Sequence, residues 1–562
     1  MREYLFFSKE PLDFPLDESI EVVTDLSRAT GQHYLIANTP SAPAEVYAPE
    51  INLYHDRTND PVSEKIPRIK RLYDIRSTIV DGAQHFDYTQ PVGDRLVIVA
   101  SDDRRDLART LQTEGFTAIW LDTDLVTDLT GHIGALTVTV RGTEGSETLS
   151  TDQLLWYDAP EFALRYSGVY DPAALGEATA LETVRANRGQ YHYKNFLAYD
   201  DAICQYHERL TDVCGKCEEV CPTTAILKID DERHLQFDPI NCHGCGGCVS
   251  VCPSGALEYT QMPMDTFEEV SDFFDDTVAL IVPEQLDLER LDIPLAPGVL
   301  PLAIPGQKFL SEVHLLTLLQ KSGQPVIFYS DVLSKGTGDA ITILNEIFAR
   351  KYHKKAIHYC QTPEELLLAM EQIEPIPECR FGMETYGMKK REVFTHRLAH
   401  LVGTEDLGIV TTGEHIHYGT VTVNEAACTL CLACVGACNA GALTAHPEDN
   451  TLRLNASMCT DCGYCEYICP EANCLTVHHD ELHLQPDYFR QVVLAQDELF
   501  ACVKCGKEFA TVKAVEKIAA MMAPRFGNDE ARIRSLYCCP ECKPKVMLKE
   551  HIRTTYSGVS HG

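Results

Sequence analysis

Seven cysteines occur twice at one fixed offset. Cys214, Cys217, Cys221, Cys242, Cys245, Cys248 and Cys252 each reappear 217 positions later, as Cys431, Cys434, Cys438, Cys459, Cys462, Cys465 and Cys469. Neither copy contains a gap relative to the other, so the chain holds two copies of one cysteine-rich module. Each copy repeats a local frame as well. A short β pattern precedes the later cysteine run (HLQFD at 234–238, TLRLN at 451–455), and a short triplet follows the earlier one (Ala225-Ile226-Leu227, Ala442-Leu443-Thr444). Units this small are not held mainly by a hydrophobic core, so metal is expected to supply much of their folding free energy.

The spacing points to the metal. Cys242 to Pro253 reads C-x2-C-x2-C-x3-C-P, and so does Cys459 to Pro470; Cys428 to Cys438 is a third such run, with Asn439 in place of the proline. This spacing wraps three thiolates around one 4Fe-4S cubane and sends the fourth to its neighbour. Structural zinc sites rarely present such a tandem run. Crossing the fourth ligands joins Cys428, Cys431 and Cys434 to Cys469, Cys459, Cys462 and Cys465 to Cys438, and Cys242, Cys245 and Cys248 to Cys221. The remaining site departs from the pattern, because position 211 is Thr. Cys214, Cys217 and Cys252 are left there, and Cys204 could loop back to complete the set. The alternative is a three-cysteine 3Fe-4S cluster with Cys204 as a buried thiol.

From Cys204 to Ile226 the sequence CQYHERLTDVCGKCEEVCPTTAI resembles the C-x9-C-x2-C-x3-CPT-x-AI element of bacterial 4Fe-4S ferredoxin-type proteins encoded beside molybdenum or tungsten formate dehydrogenases. The resemblance covers the cysteine modules and the C-terminal cysteine region, and the first 190 residues poorly. It implies that a long element supplies the first ligand of the first cluster. It also implies an accessory electron-transfer role, with a formate dehydrogenase or similar molybdo- or tungsto-enzyme as redox partner.

Near the C-terminus Cys502-x2-Cys505 and Cys539-x2-Cys542 form two knuckles. Four thiolates so spaced suit tetrahedral Zn²⁺, with a rubredoxin-like iron as the alternative. Similar terminal segments occur in the family just named. Cys538 could replace its neighbour Cys539. Cys360, Cys379 and Cys474 lie outside any run and read as small buried hydrophobes.

Elsewhere strand and helix patterns alternate. LVIVA at 96–100, a helical stretch from Asp106 to Thr113 and AIWL at 118–121 form one series. VALIVP at 278–283, PVIFYSD at 325–331, AITILNEIFAR at 340–350 and KAIHYC at 355–360 form another. The expected architecture is therefore α/β plus small α+β ferredoxin-like modules. It comprises an α/β domain at 1–190, a dicluster ferredoxin module at 191–262, an α/β domain at 263–405, a second dicluster module at 406–482, and a zinc-ribbon-like four-cysteine segment at 483–562 with a helix from Ala510 to Met522.

Ser334 to Asp339 (SKGTGD) opens a helix after a strand but lacks the third glycine of a phosphate loop, so a plain turn is expected. Gly131 to Gly134 before the β run 136–140 loosely resembles a hairpin of dinucleotide-binding proteins that carry ferredoxin modules. His207 and His243 flank cluster cysteines and read as surface histidines that could tune potentials.

The net charge of −35 argues against nucleic acid, which demands clustered Lys and Arg, and favours a partner with a basic docking face. No signal peptide or membrane span is visible, so a cytoplasmic chain is expected without direct membrane insertion. No catalytic set can be picked out from spacing. The pattern as a whole points to a relay of single electrons through four clusters; the alternatives are a complete flavin- or nucleotide-dependent oxidoreductase and a redox-sensing or assembly factor.

Overall fold

The computed structural model describes residues 3–29, 31–142 and 145–556, with side chains as far as residue 549. Residues 557–562, the end of the expected C-terminal segment, lie outside the described residues. The chain divides into two compact units, one ending at Phe394 and the other beginning at Thr395.

Parallel sheets dominate the first unit. Tyr4–Phe7 pairs with Ile20–Val23 on one side and Tyr34–Ala37 on the other, and Ala44–Tyr47 completes a four-stranded parallel sheet. Helix Val62–Gly82 docks on it, where Tyr73 donates to the Leu5 carbonyl at 2.7 Å.

A second parallel sheet contains Arg95–Val99, Thr117–Leu121, Gln153–Trp156 and Val169–Tyr170. It is covered on both faces, which is why LVIVA reads as a continuous apolar run. Leu96 and Ile98 pack with Ala108, Leu111 and Val184, while Val97 and Val99 pack with Leu129, Leu136 and Val138 of an antiparallel meander.

The third parallel sheet runs in the order Val299–Ile304, Val278–Pro283, Val326–Tyr329 and Ile357–Cys360. Its first two strands are buried at every residue.

The first cysteine module lies between the second and third sheets in sequence. Its terminal strands Leu197–Tyr199 (β1) and Leu257–Tyr259 (β4) pair antiparallel. Between them come the short helix Lys216–Glu219 (α1), the hairpin Ile226–Ile229 (β2) and His234–Phe237 (β3), and helix Gly247–Val251 (α2). Helix Lys335–Tyr352 (α3) packs across α2.

In the second unit the same series recurs. Thr420–Val423 (β5) pairs with Leu475–His478 (β8), enclosing helix Ala433–Ala437 (α4), the hairpin Leu443–His446 (β6) and Thr451–Leu454 (β7), and helix Tyr464–Ile468 (α5). β6, β7 and α5 reproduce β2, β3 and α2 at the 217-residue offset. Strand Val492–Gln496 (β9) adds a third strand beside β7. The helix expected from Ala510 begins instead at Val512 and ends at Met522 (α6), because Glu508–Thr511 pairs as a strand with Leu499–Ala501. Among the described residues no helix is long and apolar enough to cross a membrane.

Candidate iron-sulfur and metal centres

The position of Cys204 follows from the strand before it. Tyr199 of β1 pairs with Leu257, and Val423 of β5 pairs with Leu475; Cys204 and Cys428 each follow five residues later. The intervening turns match. The Asp200 carboxylate accepts from the Ala202 N–H at 3.2 Å, and the Asn424 side chain accepts from the Ala426 N–H at 3.2 Å. A 3-10 turn over Asp201–Ile203 then delivers Cys204 at φ −67, ψ 132, the conformation in which Ala456–Met458 delivers Cys459 (φ −66, ψ 131). The N–H two residues on donates to sulfur in each case, Tyr206 to Cys204 Sγ at 3.5 Å and Asp461 to Cys459 Sγ at 3.4 Å. Cys204 thus has the local geometry of the first cysteine of a run.

The loop between Cys204 and Cys214 is fastened to the β2–β3 hairpin. Tyr206 donates to Asp230 at 2.6 Å, Lys228 pairs with Asp212 at 2.7 Å, and the Glu208 N–H donates to the Arg233 carbonyl at 3.0 Å. Thr211 is not among the residues lining the adjoining cavity.

All sixteen cysteines of the expected sets gather in fours. Cys204, Cys214, Cys217 and Cys252 line one cavity with Leu235 and Leu257; Cys221, Cys242, Cys245 and Cys248 line another with Phe196 and Ile226. In the second unit Cys428, Cys431, Cys434 and Cys469 line a third with Val423 and Leu475. Cys438, Cys459 and Cys462 act electrostatically on Cys465. Within each module the two sets lie close enough to interact electrostatically, Cys217 acting on Cys248 and Cys434 on Cys465.

Burial first, and the neighbouring thiols second, push Cys434 up to about 11. Burial likewise raises Cys214 to about 12, Cys242 to about 11 and Cys459 to about 12, with adjacent cysteines adding to the shift. Four thiolates in one apolar cavity repel one another and lack water, so they ionise together only around a cationic core. A 4Fe-4S core supplies that charge, and the donor sets fit it.

Other groups differ between the modules. Thr223 Oγ1 lies 3.4 Å from Cys221 Sγ, and Ser254 Oγ lies 3.9 Å from Cys252 Sγ. Their counterparts in the second module are Ala440 and Glu471. Lys390 donates to the Cys252 carbonyl at 3.0 Å while paired with the buried Glu312 at 3.3 Å. Asn241, immediately before Cys242, donates to the Gly131 carbonyl at 3.0 Å and accepts from the Ser167 N–H at 2.8 Å. The Gly131–Gly134 turn therefore anchors the second cysteine run of the first module.

Sequence reasoning missed a fifth thiol at the third cavity. Cys474 lines it, at the place where Ala256 lines the first module's cavity. The chain has one residue more between Cys469 and Leu475 than between Cys252 and Leu257, and Asn473 takes a left-handed φ of 54° there, as Gly255 does at 76°. Cys360 and Cys379 are buried, the latter with its sulfur donating to the Leu319 carbonyl at 3.3 Å. His207 is half-buried with its ring against His234, and His243 is exposed. In the Ser334–Asp339 turn the Ser334 side chain accepts from the Thr337 N–H at 3.1 Å, and a Cβ on Gly336 would meet Ser250 Oγ at 2.5 Å. That glycine permits α3 to close on α2, so the turn is a packing contact.

Cys502, Cys505, Cys539 and Cys542 place their sulfurs within 4.8 Å of one another. The strand pair Leu499–Ala501 and Glu508–Thr511 carries the first knuckle, and helix Glu530–Leu536 leads into the second. Burial opposes ionisation of Cys502, but the N–H groups of Cys539, Lys504 and Cys505 draw the thiol down to about 6. Cys538 lies outside this foursome, with its sulfur donating to the Arg534 carbonyl at 3.4 Å.

Comparison with known families agrees with the geometry of both modules. A 4Fe-4S dicluster domain model matches residues 212–256, beginning after Cys204, and a second 4Fe-4S dicluster domain model matches residues 420–470. The chain therefore carries two dicluster ferredoxin domains and, with them, an iron-sulfur electron-transfer role. No curated protein matches the chain.

Proposed function

We propose that this chain relays single electrons through four 4Fe-4S clusters, one on each foursome of cysteines. Cys204, Cys214, Cys217 and Cys252 hold the first; Cys221, Cys242, Cys245 and Cys248 the second; Cys428, Cys431, Cys434 and Cys469 the third; Cys438, Cys459, Cys462 and Cys465 the fourth. The observation that carries this reading is the gathering of those cysteines, Cys204 included, around shared sites. A cubane passes one electron at a time at a potential set by hydrogen bonds, burial and charge. The protein's part is to hold the thiolates, exclude water and place hydroxyl and N–H donors on sulfur. Zn²⁺ in the Cys502, Cys505, Cys539 and Cys542 site would fix the C-terminal segment.

The redox partner on this reading is an oxidoreductase with a basic docking face, complementary to the chain's net charge of −35. A molybdenum or tungsten formate dehydrogenase is proposed on the resemblance of residues 204–226 alone. Iron, sulfide and zinc analysis of anaerobically purified protein, with EPR of the reduced form, tests the cofactor content. About sixteen irons and about one zinc per chain are expected; about eight irons would refute four clusters.

A further inference from the structure

A further opening in the first unit is much larger than its two cysteine cavities. It is a cleft of about 400 Å³, within the roughly 300–1,000 Å³ range of small-molecule sites. Three separate stretches wall it: β1 and β4 of the first module with the chain after β4, the segment around Ser311 to His314, and residues 385–393. Tyr199, Ala256 and Leu257 line both this cleft and the cavity of Cys204, Cys214, Cys217 and Cys252. A single layer of residues separates the two.

The lining has a chemical character. Met264, Met388 and Tyr199 line it with side chains that keep accessible surface, while Met262 and Tyr259, the latter stacked on Phe309, are buried in its wall. Thioether sulfur and tyrosine rings suit the faces and edges of a flat conjugated ring. His314 supplies one polar handle. Its Nδ1 accepts from the Ser311 N–H at 3.2 Å, which places the ring proton on Nε2. No protein acceptor is seen for that Nε2–H among the described residues, and burial, reinforced by Lys390, keeps the imidazole neutral, its pKa drawn down to about 3. The charges at the cleft disfavour an anionic ligand: Asp200, Glu258 and Asp265 face Lys389 and Lys390, and both lysines are already paired, with Asp200 at 2.9 Å and Glu312 at 3.3 Å.

We propose that this cleft binds an uncharged, planar, redox-active ring bearing carbonyl acceptors, of the quinone or flavin type. The ring sits against β1 and β4 with a carbonyl on His314 Nε2–H. Resting on the relay reading, the reduced ring loses two electrons and two protons to become the oxidised ring. One electron goes to each of the two sites of the first module, and the protons leave to solvent through the open side of the cleft. The cleft would thereby be a second terminal of the relay, serving a small molecule in place of a protein.

Anaerobic calorimetry of the full, cluster-loaded chain with riboflavin and with menadione tests the site. One equivalent of one of the two rings is expected to bind, and which one identifies the ring type. Met388→Trp, on a partly exposed residue, fills the cleft and should weaken binding by at least about tenfold; His314→Gln should do so by a similar factor. Iron content of both variants is measured alongside, and Met388→Trp carries the test if His314→Gln loses its fold. Binding of neither ring, or binding that Met388→Trp leaves unchanged, overturns the site. Binding without bleaching of the clusters by dihydroriboflavin or reduced menadione overturns the electron exchange and leaves the site standing. Loss of the relay reading would appear instead as missing iron.

Discussion

Helices α2 and α5 are the same element in two surroundings. Each is five residues long, each carries the third cysteine of a C-x2-C-x2-C-x3-C-P run and ends just before the fourth, and the two are 217 residues apart. All five residues of α2 are buried, whereas of α5 only Tyr464 is, and Tyr467 is 57% exposed. α2 is enclosed by other parts of its unit. Phe309 stands where a Cβ on Gly246 would fall, the Lys308 N–H donates to the Cys245 carbonyl at 2.9 Å, and α3 closes on Ser250 through Gly336. The second module has gained β9 along its hairpin and Lys517 paired with Glu471 at its cysteine end, but α5 remains uncovered. One duplicated frame thus yields an enclosed helix in the first module and an open one in the second.

The comparison breaks most severely if Cys204 is not the counterpart of Cys428. Cys204→Ser and Cys428→Ser should each abolish one cluster or convert it to a three-iron form, a loss of about one to four irons read by iron analysis and EPR. Thr211→Ser should change neither. Unchanged iron and spectra in Cys204→Ser would remove the symmetry between the modules.

A smaller effect distinguishes the enclosed helix from the open one. Gly336→Ala drives a methyl into Ser250 and should destabilise the first unit by about 1–3 kcal/mol in denaturant unfolding. Tyr467→Ala should cost no more than about 0.5 kcal/mol, while slowing electron exchange with a partner if the exposed face is where the partner docks.

Acid should act on the first unit through two buried histidines. Burial, with the charge of Lys390, lowers His314 to about 3, and burial with Lys355 lowers His358 to about 4. Between about pH 6.5 and those values the unfolded chain binds protons that the folded one does not. Stability is therefore complete above about pH 6.5 and falls as pH drops, by up to about 1.4 kcal/mol per pH unit for each histidine. His358→Asn should flatten the slope of unfolding free energy against pH by about one proton.

Much of this contrast was legible in the sequence, and the reasons for the remainder are physical. Cluster ligation requires fixed spacing along the chain, so the cysteine foursomes could be grouped in advance. The apolar runs at 96–100 and 278–283 became strands because parallel strands covered on both faces need unbroken hydrophobicity. Strand Val299–Ile304 was not legible, because Pro301 argues against a strand; it is tolerated since this is the sheet's edge. The sheet of residues 4–47 is built from four-residue strands whose pattern is too short to register. Cys474 lies outside every run, and its approach to the third cavity depends on a single inserted residue. The cleft beside β1 and β4 joins stretches far apart in the chain, and no local pattern encodes that.

The finest distinction between the modules is a hydroxyl. Thr223 Oγ1 accepts from the Ala225 N–H at 3.2 Å, which leaves its own proton directed toward Cys221 Sγ at 3.4 Å once that sulfur is a thiolate. Ala440, the counterpart, offers Cys438 no such donor. A hydrogen bond to ligand sulfur favours the reduced, more negative cluster and so raises its potential. At a net worth of about 1 kcal/mol the shift for one electron is about 40 mV. Thr223→Val should lower the potential of the cluster on Cys221 by that order in an EPR-monitored titration, and Ala440→Thr should raise the one on Cys438. Equal and opposite shifts would assign to this hydroxyl a part in setting the potential of the site it faces; no shift in Thr223→Val would remove that part.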